Sequence, residues 1–122
     1  IDRIDRLPEV AIVYAYGNAN PGSVDAAVRN GAKAIVYAGT GNGSVGEYMV
    51  EPLKAARAKG VQIVRASRTG SGVVIRNGEQ PDDKYDWVVV DDQLPQKARI
   101  LTALALTKTN DTRELQKILW KY

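Results

Sequence analysis

The sequence predicts an α/β fold: a single small domain, with a mostly parallel sheet of about four strands flanked by helices. Three observations carry this. Short runs rich in Val, Ile and Tyr alternate along the chain with stretches whose apolar residues recur at helical spacing. The strand-like runs are apolar almost without interruption, as strands covered on both faces must be. The 122 residues, 44% hydrophobic and 25% charged, make one domain's worth of chain with enough apolar material for a core. No repeat or internal linker stands out, so residues 1–122 are read as one domain.

Val10 to Tyr16 (VAIVYAY) reads as the first strand. It stops at Gly17-Asn18, with Asn20-Pro21-Gly22 close behind, all turn residues. Ser23 is placed to cap a helix whose inner face is Val24, Ala27 and Val28, and which Gly31 ends. Ala34 to Ala38 is the second strand, followed by a glycine-rich loop from Gly39 to Gly46. Tyr48, Met49, Leu53 and Ala56 then recur at helical spacing up to Gly60, with Pro52 marking either a start or a kink. Val61 to Ala66 is the third strand. A Gly-Ser loop (Thr69 to Gly72), a short apolar piece (Val73 to Ile75) and the turn Asn77-Gly78 lead into an acidic stretch. Trp87 to Val90 is the fourth strand. Pro95 suits a helix's first turn, with Ala98, Leu101, Leu104 and Ala105 as its expected buried face. Asp111 and Glu114 form a capping-box pattern opening a last helix through Leu115, Ile118 and Leu119. Right-handed crossovers bring the strand-to-helix loops of such a sheet to one edge, where ligands bind in this class of fold.

Composition removes whole classes of chemistry. With no cysteine there are no disulfides, thiolate nucleophiles or cysteine metal sites. With no histidine there are no serine–histidine triads, and most zinc sites are excluded. Seventeen basic against 14 acidic residues leave a net charge of +3, and the charges are interspersed. No basic stripe alternates with aromatics, so nucleic acid is not an expected partner. No apolar run approaches the roughly 18–20 residues that span a bilayer, so no membrane association is expected. Asp2, Arg3, Asp5 and Arg6 make the opening residues unlike a signal peptide, and a cleaved one would leave no trace.

Read literally, Gly41, Gly43 and Gly46 complete a G-x-G-x-x-G between a strand and a helix, a dinucleotide fingerprint that would hold a pyrophosphate on helix N–H groups. No acidic ribose partner stands about 20 residues on; Arg65 and Arg68 stand there instead and would suit a 2′-phosphate. The plainer reading is a tight turn needing φ > 0. A third is a backbone wall presenting one hydroxyl, that of Ser44, at the start of a helix. Glu79, just past the Asn77-Gly78 turn, is either a solvated loop carboxylate or a partner for a ligand ammonium. Asp82, Asp83 and Asp86 do not match a calcium-loop spacing and have Lys84 among them, so no metal site and no cofactor are expected. Asp91-Asp92 more simply ends the fourth strand and favours the next helix's N-terminus. Thr40, Ser44, Ser67, Thr69 and Ser71 are nucleophiles by residue type, and Lys33, Lys84 and Lys97 are bases by type, but none sits in a nucleophile motif. The residues themselves offer binding chemistry without a catalytic set.

Ala38 to Ser44 (AGTGNGS), Arg76 to Lys84 (RNGEQPDDK), Pro95 to Arg99 (PQKAR) and Ala103 to Asp111 (ALALTKTND) occur in that order. Together they resemble the C-terminal domain of bacterial type II L-asparaginases, and the glutaminase-asparaginase subgroup in particular, over nearly the whole chain. The resemblance implies an amidohydrolase that converts L-asparagine, and L-glutamine too, to the acid and ammonia. It implies a threonine nucleophile on an N-terminal domain, a C-terminal domain that completes the active site of a neighbouring subunit in a homotetramer, and a periplasmic or secreted location. It places substrate contacts at Ser44, after the G-N-G, and at Glu79, before the D-D-K, where the glutamate holds the substrate's α-amino group. Leu94 and Gly78 depart from the family pattern, and no T-G-G-T segment is present. No catalytic residue is therefore expected in this chain, and the isolated segment is expected to be inactive. The alternative is a non-catalytic α/β module binding a nucleotide through Gly41, Gly43 and Gly46, and a third is an interaction domain without a ligand.

Overall fold

Side-chain alternation along the strands sets the layout. The structure, a computed structural model, describes residues 8–14, 21–39, 47–67, 85–90 and 95–121. Strands β1 (Val10–Tyr14), β2 (Ala34–Gly39), β3 (Gln62–Ser67) and β4 (Val88–Val89) form one sheet in the order β1-β2-β3-β4, every pairing parallel. Helix α1 (Pro21–Arg29) links β1 to β2, and α2 (Glu47–Ala58) links β2 to β3. Helices α3 (Pro95–Leu106) and α4 (Thr112–Lys121) follow β4. This is the small α/β domain with a parallel sheet that the sequence predicts. Among the described residues no helix is long and apolar enough to cross a membrane.

Val13, Ile35, Tyr37, Ile63 and Trp87 point to one face, where α1 and α2 bring Val24, Met49, Leu53 and Ala56. Val10, Ala34, Val36, Val64, Ala66, Val88 and Val90 point to the other, where α3 and α4 bring Ala98, Ala103, Ala105, Leu115 and Leu119. Both faces are covered, which is why the strands are apolar at consecutive positions rather than every second one. Each fully buried Leu, Ile, Val or Met contributes about 1.5–3 kcal/mol.

Four local expectations change. Helix α1 begins at Pro21, so Ser23 lies inside the first turn rather than at the cap; proline's fixed φ suits that first position and its missing N–H is not needed there. Helix α2 begins ahead of Pro52, which therefore sits in its interior. The lost hydrogen bond and crowding cost about 3 kcal/mol, offset by burial of Met49, Leu53 and Ala56 on the same helix. On α3, Leu104 is 44% exposed, while Thr102 and Ala103 are buried. At about 100° per residue, Thr102 and Ala105 fall within roughly 40° of Ala98, whereas Leu104 falls about 120° to one side; Ala103, about 140° to the other side, is small and lies beside Pro8, Glu9 and Val10. At the start of α4, the Asp111 carbonyl accepts from Leu115 N–H (2.8 Å), but the capping box has a hydroxyl inserted into it. Asp111 N–H donates to Thr109 Oγ1 (3.0 Å), and that hydroxyl donates to Glu114 Oε1 (2.8 Å).

The glycine stops at Gly31 and Gly60 hold, and both use the same device. Each glycine is left-handed (φ 87° and 93°). Gly60 N–H bonds to Arg57 O (3.0 Å) and Val61 N–H to Ala56 O (3.1 Å); Gly31 N–H bonds to Val28 O (3.1 Å) and Ala32 N–H to Ala27 O (3.0 Å). These pairs satisfy the last carbonyls of α1 and α2 and turn the chain into β2 and β3. A Cβ at Gly60 would meet nothing within 4 Å, so Gly60→Ala tests backbone strain alone. The expected cost is about 1 kcal/mol, seen as a lower urea midpoint at unchanged m-value. A variant as stable as the parent would show that the left-handed turn is not needed.

Candidate substrate-binding edge

Because the strands are all parallel, their carboxyl ends at Tyr14, Gly39, Ser67 and Val89 share one edge of the sheet. The helices run back the other way, so the N-termini of α1, α2 and α3 open at that edge and the C-terminal turns at Gly31 and Gly60 lie at the opposite one. The positive ends of three helix dipoles thus favour an anionic group there. Gly39 and Ser67 are direct register partners. The segment 40–46, which carries Ser44, and the segment 68–84, which carries Glu79, therefore leave the sheet from opposed positions on strands about 4.8 Å apart.

Ser44 and Glu79 themselves lie outside the described residues, as do Gly41, Gly43, Gly46, Thr40, Arg68, Thr69, Ser71, Asp82, Asp83, Lys84, Asp91, Asp92 and Leu94. The described framework brings together the strand ends that bear the two candidate residues.

Other candidates fall elsewhere. Arg65 is fully buried in the middle of the sheet, in register with Tyr37 and Val89, and cannot meet a phosphate arriving from solvent. Lys33 is exposed at the amino edge, where its backbone N–H bonds to Glu9 O (2.7 Å). Lys97 is exposed on the first turn of α3. Among the described residues, no group of three or more Asp and Glu gathers as metal ligands would. The described strand order also runs straight through, without the reversal that creates a dinucleotide crevice in doubly wound sheets.

Asp86 is an anchor. Arg57 Nη2 donates to Asp86 Oδ2 at 2.6 Å and Nε donates to the Asp86 carbonyl at 3.0 Å. The same Nη2 donates to Thr112 Oγ1 (3.0 Å), whose hydroxyl donates to Gln62 Oε1 (3.4 Å), while Gln62 Nε2 donates to the Asn110 carbonyl (2.8 Å). Asp86 has φ +63°, a left-handed conformation that Asp tolerates better than most residues. The network ties the end of α2, the start of β3, the approach to α4 and the turn that follows segment 68–84. Composition and local motifs contain no sign of it, because its bonded pairs are 29 to 55 residues apart in sequence. Tyr85 packs beside it, 4.7 Å from the Trp87 ring and with Lys54 Nζ 5.2 Å from its centroid.

A family model for the glutaminase/asparaginase C-terminal domain matches residues 9–119. The chain belongs to that family. It is 55% identical over 123 residues to the glutaminase-asparaginase of Pseudomonas fluorescens biotype A, covering all of this chain and 34% of that protein. It is 43% identical over 122 residues to L-asparaginase 2 of Bacillus subtilis, covering all of this chain and 32% of that protein. It is 40% identical over 117 residues to the probable periplasmic L-asparaginase of Haemophilus influenzae, covering 96% of this chain and 34% of that protein. The chain thus spans about a third of the length of these relatives. The asparaginase C-terminal domain, rather than the nucleotide-binding module, accounts for the order of motifs along the chain.

Proposed function

We propose that this chain is the C-terminal, substrate-positioning part of a glutaminase-asparaginase, an amidohydrolase releasing ammonia from L-asparagine and L-glutamine. The observation that carries the reading is 55% identity to a glutaminase-asparaginase across the entire chain. The Gly39–Ser67 register supports it, since it starts the Ser44 and Glu79 segments side by side at the carboxyl edge. In this reading the Glu79 carboxylate accepts hydrogen bonds from the substrate's α-ammonium, and Ser44 supplies a hydroxyl to the same zwitterion. Helix N-termini at that edge favour the α-carboxylate. Ser44 is a short side chain, and the space beyond it accommodates the extra methylene of glutamine.

The nucleophile comes from sequence outside this chain, on an N-terminal domain, and the active site is shared between neighbouring subunits of a homotetramer. The periplasmic name of the Haemophilus relative supports export to the periplasm. No cofactor takes part. Two measurements test the division of labour. The 122-residue chain alone releases no ammonia from L-asparagine, and the full-length protein does. Amidase activity in the purified segment, free of host enzyme, would overturn the placement of the nucleophile.

A further inference from the structure

The segment that carries Glu79 has two ends, and the sheet holds them at opposite edges. It leaves β3 at Ser67, on the carboxyl edge. It returns through Tyr85 and Asp86 to β4, whose Val88 lies opposite Val64. Two residues earlier, Asp86 comes level with Gln62 at the start of β3. The side chains agree: Arg57 Nη2 donates both to Asp86 Oδ2 and to Thr112 Oγ1, the hydroxyl that reaches Gln62. Asp86 is thus pinned at the amino edge by a guanidinium from the last turn of α2.

Chain length makes that pin matter. From the level of Gln62 to that of Ser67 the sheet rises about 17 Å. Glu79 stands seven residues before Asp86, and seven peptide units reach at most about 25 Å. A Glu79 carboxylate at the carboxyl edge therefore has little slack toward Asp86. On the other side, twelve residues from Ser67 reach about 40 Å, so that arm constrains it far less. The pin fixes backbone as well as side chain, because Arg57 Nε donates to the Asp86 carbonyl (3.0 Å) while Nη2 holds the carboxylate (2.6 Å). As a stabiliser the pair does little, since the Asp86 side chain is 55% exposed. We infer that Arg57 is a positioning residue for substrate: by holding Asp86 it sets how far Glu79 reaches over the carboxyl edge, and so the affinity for the α-ammonium. The inference rests on reading Glu79 as the partner of that ammonium. Arg57 itself, at the opposite edge, touches no substrate.

In the full-length protein, Arg57→Met keeps the aliphatic stem and removes every donor. KM for L-asparagine should rise about 3- to 30-fold, the range for coupling through intervening structure, with kcat within about twofold and the melting temperature within about 3 °C. Arg57→Lys, which can make one contact but not the fork, should fall between. Lys59→Met, removing an exposed cation two residues on, controls for lost charge and should match the parent. In a Glu79→Gln background, Arg57→Met should raise KM no further than about twofold, because the group it positions is already gone. Amide exchange gives a readout apart from activity: peptides from 68–84 should exchange faster in Arg57→Met, and those from β2 should not. A KM unchanged by Arg57→Met while Glu79→Gln raises it would overturn the inference and leave the site standing. So would an equal rise with and without Glu79, which marks a general disturbance, and so would unchanged exchange in 68–84. A Glu79→Gln protein with the parent's KM would instead remove the reading of the site, and the positioning role with it.

Discussion

Replacing Glu79 by alanine in the full-length protein is expected to lower kcat/KM for L-asparagine by roughly 30- to 4,000-fold, or about 2–5 kcal/mol, the scale for removing one partner of a desolvated charge pair. The substrate's ammonium would remain in the site without a counter-charge. In the proposed site the pairing would be the same in the bound substrate and in the transition state, so much of the loss should appear in KM rather than kcat. Glu79→Gln separates charge from shape: it keeps a carbonyl acceptor of the same length, yet should lose most of what alanine loses, because an ammonium prefers a carboxylate. Kinetics unchanged in both variants, with wild-type melting temperature, would remove Glu79 from the site. L-Glutamine should suffer as L-asparagine does, since both present the same α-amino group.

The parts of the fold legible in the sequence are those where one short-range rule dominates. β2 and β3 are apolar at nearly every position because both sheet faces are covered, and their bounds fall within a residue of the expected ones. Gly31 and Gly60 read as helix stops because no other residue adopts their left-handed turn at so little cost. The inner face of α3 is less legible. Leucine is a stronger apolar signal than alanine or threonine, yet the sheet takes the small residues Ala98, Thr102 and Ala105, leaving Leu104 outside. The Arg57–Asp86–Thr112–Gln62–Asn110 network was not legible, since nothing local marks Arg57 as different from neighbouring charged residues on α2.

The candidate site divides in the same way. A loop carboxylate suggests a ligand ammonium by residue type alone, and the amino-acid substrate enters only with the resemblance that the ordered motifs carry. That the segments of Ser44 and Glu79 leave neighbouring strand ends is not a property of the sequence. It follows from the parallel register that opposes Gly39 to Ser67, a pairing between strands with a whole helix between them in the chain. Arg65 shows the converse: counting residues from the glycine loop nominates it for a phosphate, and the sheet buries it completely.

Gln116→Leu is expected to destabilise the domain by about 2–4 kcal/mol. β4 is the last strand on its side of the described sheet, and Val90 N–H bonds inward to Arg65 O (3.1 Å), so Val89 presents its N–H and C=O to the outer side. Gln116 on α4, itself buried, meets both: Oε1 accepts from Val89 N–H and Nε2 donates to Val89 O, each at 2.8 Å. One side-chain amide thus does what a fifth strand's backbone would do. Leucine fills much the same volume but leaves a buried donor and a buried acceptor unmatched, at about 1–3 kcal/mol each and not fully additive. Gln116→Glu keeps the acceptor for Val89 N–H but sets an oxygen against Val89 O, so it should recover little. The checks are the urea midpoint and light scattering, because a strand edge stripped of its cap offers its hydrogen bonds to other chains. A Gln116→Leu protein within about 0.5 kcal/mol of the parent, and no more prone to associate, would show that water or a shift of α4 satisfies Val89 instead.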